Sequence, residues 1–205
     1  MHRILRHAVV GSALSLLCFL AVGCSGETPR AVDSDPGSST GQEAPATAGS
    51  EAAAGEVTVR AVDLEGYQKA IEAQRGKVVL VDFWATWCVP CKKQFPHTVE
   101  LGRELADEGL AVISVSMDEV ESDPASHEPI LKFLKDQNAR FTNLIATTAD
   151  GSDPFEAFDI DGGAIPHYKL YDRNGQLVRK FYFDAETSYT QEDIDTAVKE
   201  LLSRG

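Results

Sequence analysis

Between residues 78 and 85 every position but one is apolar: Val78, Val79, Leu80 and Val81 precede Asp82, and Phe83, Trp84 and Ala85 follow it. A β-branched and aromatic run of this length predicts a strand covered on both faces. The period then changes. Phe95, Val99, Leu101 and Leu105 predict a helix over residues 88–108 that Gly109 ends. Upstream, residues 57–62 alternate as a strand does, and Leu64, Tyr67, Ala70 and Ile71 mark a helix over residues 64–74, with Asp63 as its cap and Gly76 at its close. Residues 110–117 repeat the apolar character of the buried strand. Strand, helix and strand in that order predict a parallel crossover in an α/β sheet.

Between Met117 and Pro166 lie 48 residues. They read as a loop (118–128), a helix (129–137) with Ile130, Phe133 and Leu134 apolar, a strand (141–146) and a helical turn around 155–158. Residues 168–171 and 176–183 then flank Asp-Arg-Asn-Gly, a hairpin whose Asn174 and Gly175 are expected to supply positive φ angles. Thr190 and Asp193 have the spacing of a capping box. Behind them Ile194, Ala197, Val198, Leu201 and Leu202 form one buried face of a last helix.

The N-terminal quarter has a different character. Arg3 and Arg6 precede an apolar run over residues 8–22, and Gly23 precedes Cys24. That order resembles a lipoprotein signal peptide, which implies cleavage after Gly23 and a lipid on Cys24, although Ala21 stands where such signals most often have leucine. Fifteen residues fall short of the roughly 20 that a spanning helix needs. Residues 25–56 are mostly Ser, Gly, Ala, Pro, Thr and acids without an aromatic residue, so they are expected to form a disordered tether reaching about 30 Å. The reading is therefore a signal at 1–23, a lipidated cysteine and tether at 24–56, and one globular domain at 57–205.

Composition narrows the partners. Without Arg3 and Arg6 the mature chain carries 17 basic and 32 acidic residues, a balance that excludes nucleic acid and makes the lipid the expected membrane attachment. Of the four cysteines, Cys18 leaves with the signal and Cys24 takes the lipid, so Cys88 and Cys91 remain. That count excludes a disulfide framework, and the lack of a second Cys-x-x-Cys excludes a four-cysteine zinc site. Where a buried strand feeds a helix, unpaired N–H groups favour an anion. A thiolate at Cys88 is stabilised there, and its pKa falls below the free value of about 8.5. Pro90 suits the first helical turn because its missing N–H has no helical partner. Asp82, a carboxylate in an apolar strand, is expected to have a raised pKa.

The sequence Val-Asp-Phe-Trp-Ala-Thr-Trp-Cys-Val-Pro-Cys-Lys at residues 81–92 resembles the active-site segment of thioredoxin-fold oxidoreductases, in particular the membrane-tethered TlpA/ResA type. Pro96 stands where that family has a helix-kinking proline, and Ile165-Pro166 resembles its cis-proline segment. The likeness covers residues 57–205. It implies a three-layer α/β fold, a central mixed sheet flanked by helices, with a TlpA/ResA-type insertion before the cis-proline strand. It also implies roles. Cys88 attacks, Cys91 resolves, and Asp82 moves the Cys91 proton; Trp87, Val89, Pro90, Ile165, Pro166 and His167 are the expected substrate-facing residues. No cofactor beyond the Cys88–Cys91 disulfide is implied, and no metal. Expected partners are protein disulfides, as in cytochrome c maturation, and a membrane thiol–disulfide electron donor, on the extracytoplasmic side.

Two alternatives, an oxidant and a copper-binding module, remain beside the leading reading of a disulfide reductase, and a peroxidase is set aside. A disulfide-forming oxidant usually carries His in the dipeptide and a large helical insertion. A peroxiredoxin needs a proline seven and a threonine three positions before its cysteine, where this chain has Val81 and Ala85, so the peroxidase reading fails. A copper-binding thioredoxin-like module spaces its cysteines by three residues and adds a histidine, a part that His167 would fill. His167 departs from the threonine more usual after the cis proline. It is read either as a neighbour of the dithiol or as a solvated histidine at its rim, and His97 and His127 are read as surface.

Overall fold

The computed structural model describes residues 56–120, 123–148, 150–184 and 188–204. The expected signal peptide, Cys24 and nearly all of the tether lie outside them. In chain order the elements are β1 (Arg60–Val62), α1 (Leu64–Glu72), β2 (Val78–Trp84), α2 (Val89–Glu104), β3 (Leu110–Ser116), α3 (Glu128–Asp136), β4 (Thr142–Ala146), α4 (Pro154–Ala157), β5 (His167–Tyr171), β6 (Leu177–Phe181) and α5 (Gln191–Ser203). The predicted order of strands and helices holds throughout, and the differences lie at the ends. The first helix stops before Gly76, and α2 stops short of Gly109, whose φ of +97° lets the chain turn directly into β3.

The six strands form one sheet in the order β1-β4-β3-β2-β5-β6. β1, β4, β3 and β2 are parallel, while β5 runs antiparallel to β2 and β6 antiparallel to β5. This mixed sheet between helical layers is the thioredoxin-like fold. The inserted segment supplies α3 and β4, and β4 lies between β1 and β3. β2 is central, so all seven of its residues are buried.

Alternation along β2 divides the core. Val79, Val81 and Phe83 join Tyr67, Ala70 and Ile71 of α1 and Phe158 after α4. Val78 and Leu80 face Leu101, Ile194, Val198 and Leu201, which belong to α2 and α5. Trp84, on that same side, meets Phe95 of α2 and Phe133 of α3, with ring centroids 5.0 and 4.6 Å away. Burying one such side chain contributes about 1.5–3 kcal/mol. The helix ends agree with the sequence reading: Asp63 accepts from the Gly66 N–H at 2.8 Å, and Thr190 with Asp193 forms the reciprocal capping box. One turn differs. Only Gly175 has positive φ, and the Asp172 carboxylate orders the loop instead by accepting from the N–H groups of Asn174 and Gln176.

Candidate active site

Cys88 is the N-cap of α2, and its sulfur accepts from the Cys91 N–H at 3.3 Å. Pro90 occupies the first turn, and Pro96 lies inside the helix. Cys88 and Cys91 form a disulfide with Cα atoms 5.3 Å apart. They are 4% and 2% exposed, so exposure scarcely separates them. Position does separate them: once the bond is reduced, the N–H that meets Cys88 favours a thiolate there. The flanking Trp87 and Val89 are 60% and 57% exposed, an apolar lip beside a sunken sulfur pair.

The facing wall comes from the segment before β5. The Ile165–Pro166 bond is cis, and the Ile165 carbonyl oxygen lies 3.7 Å from Cys88 Sγ. In the disulfide this is a contact without a proton. In the dithiol the same oxygen can accept from the Cys88 S–H, which favours the thiol and opposes the helix N-terminus.

Asp82 points to the α2 side of β2, opposite Tyr168 in the register with β5. The Thr98 hydroxyl of α2 donates to its Oδ2 at 2.6 Å, and Oδ1 is buried without a hydrogen-bond partner. Burial raises its pKa to about 7, against the opposing pull of Thr98 and, more weakly, Tyr168. A carboxyl that titrates near neutrality in a closed site can hold or release a proton at working pH.

His167 is neither solvated nor turned to the dithiol wall, and here the expectation is corrected. Its backbone pairs with Phe83, so its ring shares the α1 side of the sheet with the Phe83 ring, 5.8 Å away. It is fully buried, stacks on Tyr182 and bonds through Nε2 to Asp161 Oδ2 at 3.1 Å. Burial lowers its pKa to about 4 despite Asp161, so near neutral pH it is an uncharged donor to that carboxylate. Its ring therefore lies on the far face from Asp82. Among the described residues no group of three or more His, Cys, Asp or Glu side chains is placed to hold a metal ion.

Two contributions escaped the sequence reading. Asp118, just after β3, accepts from the Thr86 N–H at 2.9 Å, from the Thr86 hydroxyl and from Ser116 at 2.6 Å, which fixes the turn leading to Trp87 and Cys88. His97 bonds Asp195 at 2.8 Å and ties α2 to α5, where a surface residue was expected. A polar triplet Ser-x-Asp at the end of an apolar strand was the available signal for Asp118. His97 offered none.

Known proteins carry related chains. ResA, a thiol-disulfide oxidoreductase of Bacillus cereus, is 30% identical over 118 residues, 58% of this chain and 62% of that protein, so the match spans about three fifths of the relative's length. The thioredoxin domain of a thiol-disulfide oxidoreductase from Bacteroides vulgatus superimposes with a TM-score of 0.50 at 27% identity, covering 64% of this chain and 83% of that one. A thiol-disulfide isomerase from Corynebacterium glutamicum gives 0.54 at 20% identity over 64% and 84%, a likeness of fold. The sequence pattern of the AhpC/TSA family matches residues 41–180, and the chain belongs to that family.

Proposed function

We propose that this protein is a thiol–disulfide oxidoreductase that reduces protein disulfides with the Cys88–Cys91 pair and no further cofactor. The observation that carries the reading is the placement of Cys88 at the N-cap of α2, beneath an apolar lip and against the Ile165 carbonyl. The Cys88 thiolate attacks a substrate sulfur, and the substrate's other sulfur leaves with the electron pair. Cys91 then attacks Cys88, expels the second substrate thiolate and closes the disulfide. Asp82 takes the Cys91 proton as that sulfur becomes nucleophilic.

We further propose an extracytoplasmic site of action, with apocytochrome c as one substrate and a membrane thiol–disulfide donor as the source of electrons, on the resemblance of residues 81–92 to the TlpA/ResA active-site segment. Attachment would come from a lipid on Cys24. No helix among the described residues is long and apolar enough to cross a membrane. The copper reading loses its third ligand, because the His167 ring is held by Asp161 on the other side of the sheet. Reduction of insulin disulfides tests the function. The reduced chain should precipitate the insulin B chain, and Cys88→Ser should not; equal activity in both removes the reading.

A further inference from the structure

Residues 162–165 connect a charged cluster to the dithiol. Asp161 Oδ2 receives His167 Nε2 at 3.1 Å and Lys180 Nζ at 2.8 Å. Lys180 also reaches Asp159 at 2.8 Å, and the buried Lys169 donates to the Phe158 carbonyl at 2.7 Å. Three side chains of β5 and β6 thus grip the chain at residues 158–161. The next residues are Gly162 and Gly163, both at positive φ, then Ala164, Ile165 and the cis Pro166.

The two glycines of that turn are open, while Ile165 packs partly buried against the cores on both faces of the sheet. A Cβ built on Gly162 or Gly163 would meet no atom within 4 Å, so no wall of protein lies against either residue. One backbone bond, Gly163 N–H to Ile160, stiffens it. Its position is set by its two ends: Asp161 on one side, and the packed Ile165 with Pro166 and β5 on the other. His167 belongs to both, since it follows Pro166 and bonds Asp161. An exposed ion pair would contribute little. This one has a fully buried imidazole and a Lys180 side chain only 21% exposed, and it spans the segment that carries the Ile165 carbonyl.

We infer that Asp161 and Lys180 are positioning residues for disulfide exchange, which with His167 close residues 161–167 into a clamp that sets the Ile165 carbonyl against Cys88 Sγ. The inference rests on the function proposed above. The clamp has two consequences. It presents the Ile165 backbone at a fixed place for an extended substrate chain. It also keeps an acceptor on the Cys88 S–H, which holds the Cys88 pKa above the value that the helix N-terminus alone would set.

The test uses the full-length reduced protein with Lys180→Met, which keeps an unbranched apolar stem, and Asp161→Asn, which keeps shape and removes the charge that Lys180 meets. The first measurement is the pH dependence of Cys88 alkylation by iodoacetamide, which needs no knowledge of the substrate. The apparent pKa should fall by about half a unit in Lys180→Met and in the same direction in Asp161→Asn. The second is turnover. KM for insulin should rise about tenfold with kcat within twofold, while the rate with a small aromatic disulfide stays within twofold of wild type. Lys180→Arg should restore both readings.

Unchanged alkylation profiles in both variants, or equal losses on insulin and on the small disulfide, would overturn the clamp. Should Lys180→Met fail to fold, the gentler Asp161→Asn decides by the same two measurements. A wild-type protein that alkylates normally and reduces no disulfide would instead remove the proposed function.

Discussion

Replacing Asp82 by Asn gives the most informative single perturbation, because the buried carboxyl bears on stability and on proton transfer at once. Its pKa lies at about 7 in the fold against an ordinary 3.8, a rise of roughly three units at about 1.4 kcal/mol each. The folded state therefore binds this proton more tightly than the unfolded chain does. Between pH 4 and pH 7 the unfolded carboxyl ionises while the folded one stays neutral, so stability falls as pH rises. The loss is complete above pH 7 and amounts to about 4 kcal/mol, an order-of-magnitude figure. Asn removes that pH dependence. Its oxygen can keep the Thr98 bond, but its N–H groups occupy the place of Oδ1, which has no partner, at a cost of about 1–3 kcal/mol. The variant should be no more stable than wild type at pH 4 and ahead by about 1–3 kcal/mol at pH 8.

Urea unfolding of the oxidised proteins at four pH values from 4 to 8 reads this crossing directly. Stopped-flow mixing of the reduced proteins with a disulfide reads the kinetic half. Attack by Cys88 should be nearly unchanged, and resolution by Cys91 should slow on the order of 100-fold, within the range of a lost general base. Parallel stability profiles for the two proteins would refute the raised pKa. Unchanged resolution would leave Asp82 as a buried acid without a part in the reaction.

Other substitutions test separate parts of the account. Gly102→Ala places a Cβ 2.9 Å from Val112 Cγ2, so the overpacking between α2 and β3, about 1–3 kcal/mol, should outweigh a helix-propensity gain of up to about 1. A denaturant midpoint at or above wild type would contradict that contact. Cys24→Ala should move the protein from the membrane fraction to the soluble one while insulin reduction persists; retention on membranes would show that something other than the lipid anchors it.

How far the sequence carried depends on whether the partners of a residue were near it in the pattern. β2 and α2 were legible because both periods and the Cys-x-x-Cys occur within one continuous stretch, and the Thr190 cap because its partner is three residues away. Asp82 was legible as an anomaly, a charge inside an apolar run. β5 was harder. Its His167 and Lys169 alternate with Tyr168 and Leu170, which reads as a half-solvated strand, yet β5 lies between β2 and β6 and both faces are covered. The polar face is satisfied by Phe158, Asp159 and Asp161, whose approach depends on a loop with two positive-φ glycines that no periodicity encodes. The Thr86–Asp118 bonds and the His97–Asp195 pair were missed for the same reason, because those partners meet only after the fold is assembled, although Ser116 beside Asp118 was a local signal.

In the proposed reaction Cys88 attacks and Cys91 resolves, and the two steps can be separated. Cys91→Ser, reduced and mixed with a protein disulfide, should accumulate a mixed disulfide that mass spectrometry maps to Cys88, while Cys88→Ser accumulates none. A mixed disulfide mapped to Cys91 in Cys88→Ser, with none in Cys91→Ser, would contradict the assignment.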